Sequence, residues 1–202
     1  MNKTNVMLDL ETWSTSPNAV ITSIGAVKFN LNPDNSGGNI IEEFYYRIDP
    51  QSCIDIGLEM SVDTILWWLK QSNEARAEFQ KPTWNIDVVL TQFSLWLADD
   101  PKHIDIWGNG SDFDNVLLAN AYKACRKTLP WRYFNNRCYR TLKNLYSTVP
   151  SMVNLGVKHN ALDDAKAQAN HLIDILCHIN KLSAADATPK PSRLKKKIVL
   201  VT

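Results

Sequence analysis

The run AVITSIGAVKF, from Ala19 to Phe29, is apolar at both its odd and its even positions. In an extended chain successive side chains point to opposite faces, so such a run is buried on both sides and sits centrally in a sheet. Val6 to Glu11 alternates with period two: Val6, Leu8 and Leu10 share one face, while Met7, Asp9 and Glu11 share the other. Ile40 to Ile48 reads as a third strand, after a turn over Asn30 to Asn39 that holds a Pro and two glycines. Short connections between three successive strands predict an antiparallel meander. His103 to Trp107 reads as a further short strand, ended by Gly108-Asn109-Gly110.

Elsewhere the spacing is helical. Ser61 is placed to cap a helix carrying Ile65, Leu66, Trp68 and Leu69, and Ser72 to cap a second one through Phe79. Apolar residues at 86, 89, 90, 93 and 97 form a stripe over Ile86 to Leu97. Phe113 to Cys125 follows, with Phe113, Val116, Leu117, Ala121 and Ala124 on one side, and then Tyr139 to Val149. A last helix starts near Asn160, and Ala161, Ala165 and Ala169 in its stripe with Leu172 and Leu176 permit close approach to a sheet. From Ser183 the composition turns to Ala, Asp, Thr and Pro and then SRLKKK, which divides the chain into a domain at 1–182 and a linker with a basic tail at 183–202. The pattern predicts an α/β fold: a mixed sheet of the ribonuclease H-like kind, three antiparallel strands plus parallel ones, flanked by helices.

A length of 202 residues suits one domain with a substantial core. With a formal net charge of +1, contact with nucleic acid has to come from local basic patches. Cys53, Cys125, Cys138 and Cys177 show no CxxC pair and no zinc-like spacing, and read as free thiols in a reducing compartment. The opening MNKTNVMLDLET has no signal-peptide core, and no apolar run approaches the ~20 residues of a membrane span. A soluble, cytoplasmic protein is expected, in a bacterial cell or a phage-infected host.

Three sites carry acidic residues. Asp9 and Glu11 share a strand face, where two carboxylates repel and lose hydration unless a cation joins them; two exposed, ion-paired acids at a strand end is the plainer reading. Asn109 to Asp114 lies between a strand and a helix, with Asp112 the better helix N-cap and Asp114 in the first turn. His159 precedes the last helix and Asp163 and Asp164 open it, a position that the helix dipole alone would favour for acids.

Taken in order, DxE, then Phe-Asp opening a helix, then HxAxxDA opening a later one, the three sites resemble the DEDDh 3′–5′ exonucleases, the superfamily of proofreading exonucleases and RNase T. The likeness covers roughly residues 5 to 180. It implies that Asp9, Glu11, Asp114 and Asp164 are ligands of two Mg²⁺ or Mn²⁺ ions, with Asp9 bridging them, and that His159 is the general base. The five positions from His to Asp select Asp164 over Asp163, and the Phe-Asp pair selects Asp114 over Asp112. ETWSTSPNAVITSIGAV, TILWWLKQSNEAR and WGNGSDFDN are similar more narrowly to phage-type DNA exonucleases and to exonuclease VIII-like 3′–5′ exoribonucleases. Asp112 departs from these relatives, which more often carry an uncharged residue there.

The implied activity is removal of nucleoside monophosphates from a free 3′ end, with single-stranded DNA first in line and RNA open. Thr12 and Trp13, next to Glu11, are candidates for the 3′ sugar, and Trp67 for stacking on a base. Trp67 and Trp68 project about 100° apart on a helix, which predicts that they cannot face one partner, with Trp68 in the core. A homodimer stays open. The competing readings are a catalytically idle nucleic-acid-binding or scaffold domain of the same fold, and a metal-dependent phosphatase.

Overall fold

The computed structural model describes residues 4–32, 36–98, 101–150, 156 and 158–186; the basic tail falls outside them. Strands β1 (Thr4–Thr12), β2 (Ile21–Leu31) and β3 (Gly38–Arg47) form the expected meander, each pair antiparallel. β4 (Ile104–Gly108) then adds in parallel to the other side of β1, and β5 (Asn136–Cys138) in parallel to β4, for the order β3-β2-β1-β4-β5. The result is the mixed, helix-flanked sheet of the ribonuclease H-like fold.

β1 and β2 are covered on both faces, as their sequences require. Val6, Leu8, Leu10, Ile24 and Ala26 pack with the stripe Ile86, Val89, Leu90, Phe93 and Leu97 of α4 (Ile86–Leu97) and with Leu117, Leu118 and Ala121 of α5 (Asp114–Ala124). On the opposite face Met7, Val27 and Phe29 meet Ala165, Ala169, Leu172 and Ile173 of α7 (Ala161–Asp186) and Tyr139 of α6 (Tyr139–Leu145). α7 runs through Ser183 to Asp186, residues that composition assigns to the linker.

Several local expectations are corrected. β2 lies two residues later than the apolar run; Ala19 makes only an isolated bridge to Glu59, where the β1–β2 register shifts after Glu11. β5 was not expected, because NRC carries no alternation and becomes a strand only by pairing with β4. α6 stops at Leu145, short of Val149. α2 (Val62–Trp68) buries Trp68, but Leu66 and Leu69 are 50% and 59% exposed, and Ser61 makes no side-chain cap. Ser72 does cap α3 (Asn73–Ala77), accepting from the Ala75 N–H at 3.2 Å, and a 3-10 turn follows.

α5 presents a different face from its predicted stripe. Asp114 and Asn115 are buried beside Leu117, Leu118, Ala121 and Tyr122, while Val116 and Ala124 are only half-buried. Its N-cap position is Phe113, which makes no side-chain cap, and Asp112 stands exposed one residue earlier. The helix is rolled because its polar first turn bonds inward. Asp114 accepts from the Leu10 N–H at 3.2 Å, and Asn115 donates to the Ile106 carbonyl at 3.0 Å.

Candidate active site

The site forms where β1, α5 and α7 converge at the carboxyl ends of the parallel strands, the usual place for a ligand in such a sheet. The parallel ladder of β1 with β4 ends at Leu8 and Gly108, so the N–H of Leu10 lies beyond it and is taken up by Asp114. Gly108 leaves room for that turn: a Cβ there would lie 2.3 Å from Asn115 Oδ1 and 3.2 Å from Asp114 Oδ2.

α7 is brought in by a second glycine. Gly25 pairs with Asp9 across β1 and β2, and a Cβ on it would fall 2.1 Å from the carbonyl carbon of Ala161. Only a bare backbone lets the first turn of α7 rest on β2 here. That contact carries Asp164 and, one turn on, Gln168 to the carboxylates of β1. The Gln168 amide donates to Asp9 Oδ1 at 2.7 Å. Asn160 caps α7, its Oδ1 accepting from the N–H groups of Leu162 and Asp163 at 3.1 and 3.2 Å. His159, just before it, has φ +65° and donates its N–H to Asp164 Oδ2 at 3.0 Å.

All five predicted residues line one cleft of about 390 Å³: Asp9, Glu11, Asp114, His159 and Asp164. Ligand atoms of Glu11, His159 and Asp164 lie within 4.8 Å of one another. Asp163 is not among the lining residues and packs instead beside Gly156, where a Cβ would come within 2.3 Å of its carboxyl carbon. Asp112 is likewise not in the lining. Three basic side chains absent from the sequence reading also line the cleft: Arg140, Lys143 and Lys158.

The electrostatics are those of a charge cluster under strain. Burial, followed by the charges of Asp114, Glu11 and Asp164, pushes Asp9 well above the usual carboxylate range, against the Gln168 hydrogen bond. Burial and then Asp164 and Asp114 raise Glu11 to about 8. Asp114 rises to about 7 through burial, opposed by the Leu10 N–H and, more weakly, by Arg140. Burial lowers His159 from 6.5, although Asp164 pulls the other way, so the neutral imidazole is favoured near neutral pH. Acidic oxygens crowded in this way, with one imidazole and no thiolate in the lining, are a donor set for a hard divalent cation.

The family model of the 3′–5′ exoribonuclease Rv2179c-like domain matches residues 4–176. The chain belongs to this family, and with it to the DEDDh 3′–5′ exonuclease superfamily. No curated protein matches it. Solved structures of similar fold include a zinc-bound complex of E. coli ExoI with single-stranded DNA, at 16% identity and a TM-score of 0.55, covering 93% of this chain and 41% of that one. E. coli exonuclease I in complex with a 5cy-dT13 oligonucleotide matches at 17% identity and a TM-score of 0.57, covering 92% and 43%. The chain thus spans about two fifths of the length of these relatives.

Beside the cleft of this exonuclease domain lies a groove of about 460 Å³, sharing Leu10, Glu11 and Phe113 with it. Thr12, Thr15, Ser61, Thr64, Trp67 and Trp68 complete most of its wall. Of the three substrate candidates, Thr12 and Trp67 line it and Trp13 does not; Trp13 packs on Phe79, ring centroids 5.9 Å apart. Thr12 is buried, with its hydroxyl donated to the Ser14 carbonyl at 2.7 Å. Trp68 is core, as its helical position implies, and Trp67 is 43% exposed. Both indoles nevertheless meet one partner, the His159 ring, because each is broad enough to reach it from its own side of α2. Gln168 was legible in principle, being one turn beyond Asp164; so was the Arg140–Lys143 pair, three apart on one helix.

Proposed function

We propose that this domain hydrolyses single-stranded nucleic acid from its 3′ end, releasing nucleoside 5′-monophosphates with the help of two Mg²⁺ or Mn²⁺ ions. The family shown above supports exonuclease action. The observation that carries the metal is the half-buried carboxylate cluster, whose members raise one another's pKa and lose that repulsion only to a proton or a cation. Asp9, Glu11, Asp114 and Asp164 would hold the ions. Bound there, the ions would supply positive charge to the reacting phosphate and a lowered pKa to the attacking water.

The remaining work falls to the chain. His159 accepts the proton of the water at an imidazole nitrogen as the new P–O bond forms. The bond from phosphorus to the 3′ oxygen of the preceding nucleotide breaks, that oxygen takes a proton from solvent water to become the new 3′-hydroxyl, and His159 returns its proton to solvent. Gln168 fixes the orientation of Asp9 by its hydrogen bond. The terminal nucleoside enters the groove along Thr12, and Arg140, Lys143 and Lys158 receive backbone phosphates. Single strands are favoured because Arg140, Lys143 and Lys158 can track the backbone of one strand past the carboxylates. The same reading puts the protein in a reducing cytoplasm, where its four cysteines stay free.

Incubation with 5′-labelled single-stranded DNA and RNA of one sequence, each ending in a 3′-hydroxyl, tests this reading. A ladder shortening from the 3′ end in Mn²⁺ or Mg²⁺, and its loss in EDTA, is expected, and the faster ladder names the preferred sugar. Undiminished hydrolysis in excess EDTA would remove the metals. Oligonucleotide binding without any hydrolysis would return the idle-scaffold reading.

A further inference from the structure

The imidazole of His159 is held by two indoles. Its ring centroid lies 5.0 Å from that of Trp67, with the planes at 78°, and 5.8 Å from that of Trp68, at 80°. Both are edge-to-face arrangements, the favoured geometry for such rings. The two tryptophans differ in what else they do. Trp68 is buried, donates its indole N–H to the Thr12 carbonyl at 2.9 Å and meets Phe79 edge-on at 4.9 Å, so it ties α2 to the end of β1. The ring contacts of Trp67 among the described residues are with Trp68 and His159.

His159 needs such support. At φ +65° it occupies a backbone region uncommon for residues with a side chain, and that conformation persists only where the surroundings over-determine it. Its N–H bond to Asp164 and the Asn160 cap fix the backbone, yet neither restrains the ring. The ring nitrogen stands within 4.8 Å of carboxylate oxygens of Glu11 and Asp164, and the same ring packs edge-to-face against both indoles.

We propose that Trp67 is a positioning residue for His159. It holds the imidazole toward Glu11 and Asp164 and acts on hydrolysis through that ring, more than by stacking on the substrate. The proposal rests on His159 being the general base. A group placed in advance needs no ordering at the moment of reaction, so a freed ring costs turnover more than substrate binding.

The test is steady-state kinetics of Trp67→Leu, Trp67→Phe, His159→Ala and the Trp67→Leu/His159→Ala double variant, on a single-stranded oligonucleotide with saturating Mn²⁺. Trp67→Leu is expected to lower kcat about tenfold with KM within about twofold, since small misplacements of a catalytic group cost up to about 10²-fold. Trp67→Phe should recover most of the loss. The double variant should be no slower than His159→Ala, because two residues acting as one unit are not additive. A raised KM at unchanged kcat, or full additivity, overturns the proposal and makes Trp67 a stacking platform. An unaffected Trp67→Leu beside a slow His159→Ala overturns positioning alone, whereas wild-type rates in His159→Ala overturn the base reading and positioning together. Should the Leu variant fail to fold, Trp67→Gln, suited to an exposed helical position, reads the same quantities.

Discussion

The two faces of β1 share one backbone but have opposite contents: hydrocarbon that is fully buried on one, and half-buried acids on the other. Val6, Leu8 and Leu10, no more than 5% exposed, close against α4 and α5 with hydrocarbon alone. On the other face the hydrocarbon ends at Met7, and Asp9 and Glu11 follow beneath the first turns of α7. Each large apolar side chain of the first face stabilises the fold by about 1.5–3 kcal/mol. The second face costs stability, because its acids are driven toward protonation by burial and by one another. A well-packed layer on one side of the strand is what lets the other side keep groups that repel.

Paired substitutions separate these roles most widely. Asp9→Ala or Asp164→Ala should reduce 3′–5′ hydrolysis by about 10³-fold or more, as the several kcal/mol contributed by the ions are lost. Their metal-free melting temperatures should hold or rise as repulsion is relieved. Leu8→Ala should do the opposite, lowering stability in a urea titration by about 2–5 kcal/mol while the fraction still folded keeps its turnover. Unfolding of both aspartate variants would erase the contrast and make the carboxylates structural. His159→Ala comes next, with an expected loss of about 10²–10⁴-fold in kcat, the range of general acid–base catalysis, and metal binding by calorimetry retained.

A smaller effect lies in pH. Folded Glu11 and Asp114 titrate near 8 and 7, against the ordinary 4.5 and 3.8. Below the ordinary values both folded and unfolded chains are protonated, and the stability from these groups is fully present. As pH rises toward 8 the unfolded chain releases protons that the folded chain retains, so stability falls. The metal-free melting temperature should therefore drop between about pH 4 and pH 8, and Mg²⁺ should flatten the upper part of that slope. A profile indifferent to Mg²⁺ would detach the cluster from metal binding. The smallest change is expected for Asp112→Ala and Asp163→Ala, with activity within about twofold, the scale of substitutions outside the machinery. A large loss for either would show the wrong member of its pair in the site.

The strands β1 and β3, the α4 stripe and the common face of Asp9 and Glu11 were legible in the sequence because periods of 2 and 3.6 residues belong to the backbone itself. Family likeness then singled out Asp114, His159 and Asp164 among neighbouring acids that periodicity could not rank. What only the tertiary structure decided lies at contacts between segments distant in the chain. The roll of α5 follows from a bond between Leu10 and Asp114, 104 positions apart. The hold of Gln168 on Asp9 spans 159 positions and exists because α7 rests on the bare backbone of Gly25. β5 has no strand pattern of its own and forms only against β4. Helical angles separate Trp67 from Trp68, yet both rings reach His159, which comes from a distant segment of the chain, just before α7. Local periodicity determines which face a side chain takes, whereas its partner depends on where packing brings another part of the chain, and no local pattern encodes that approach.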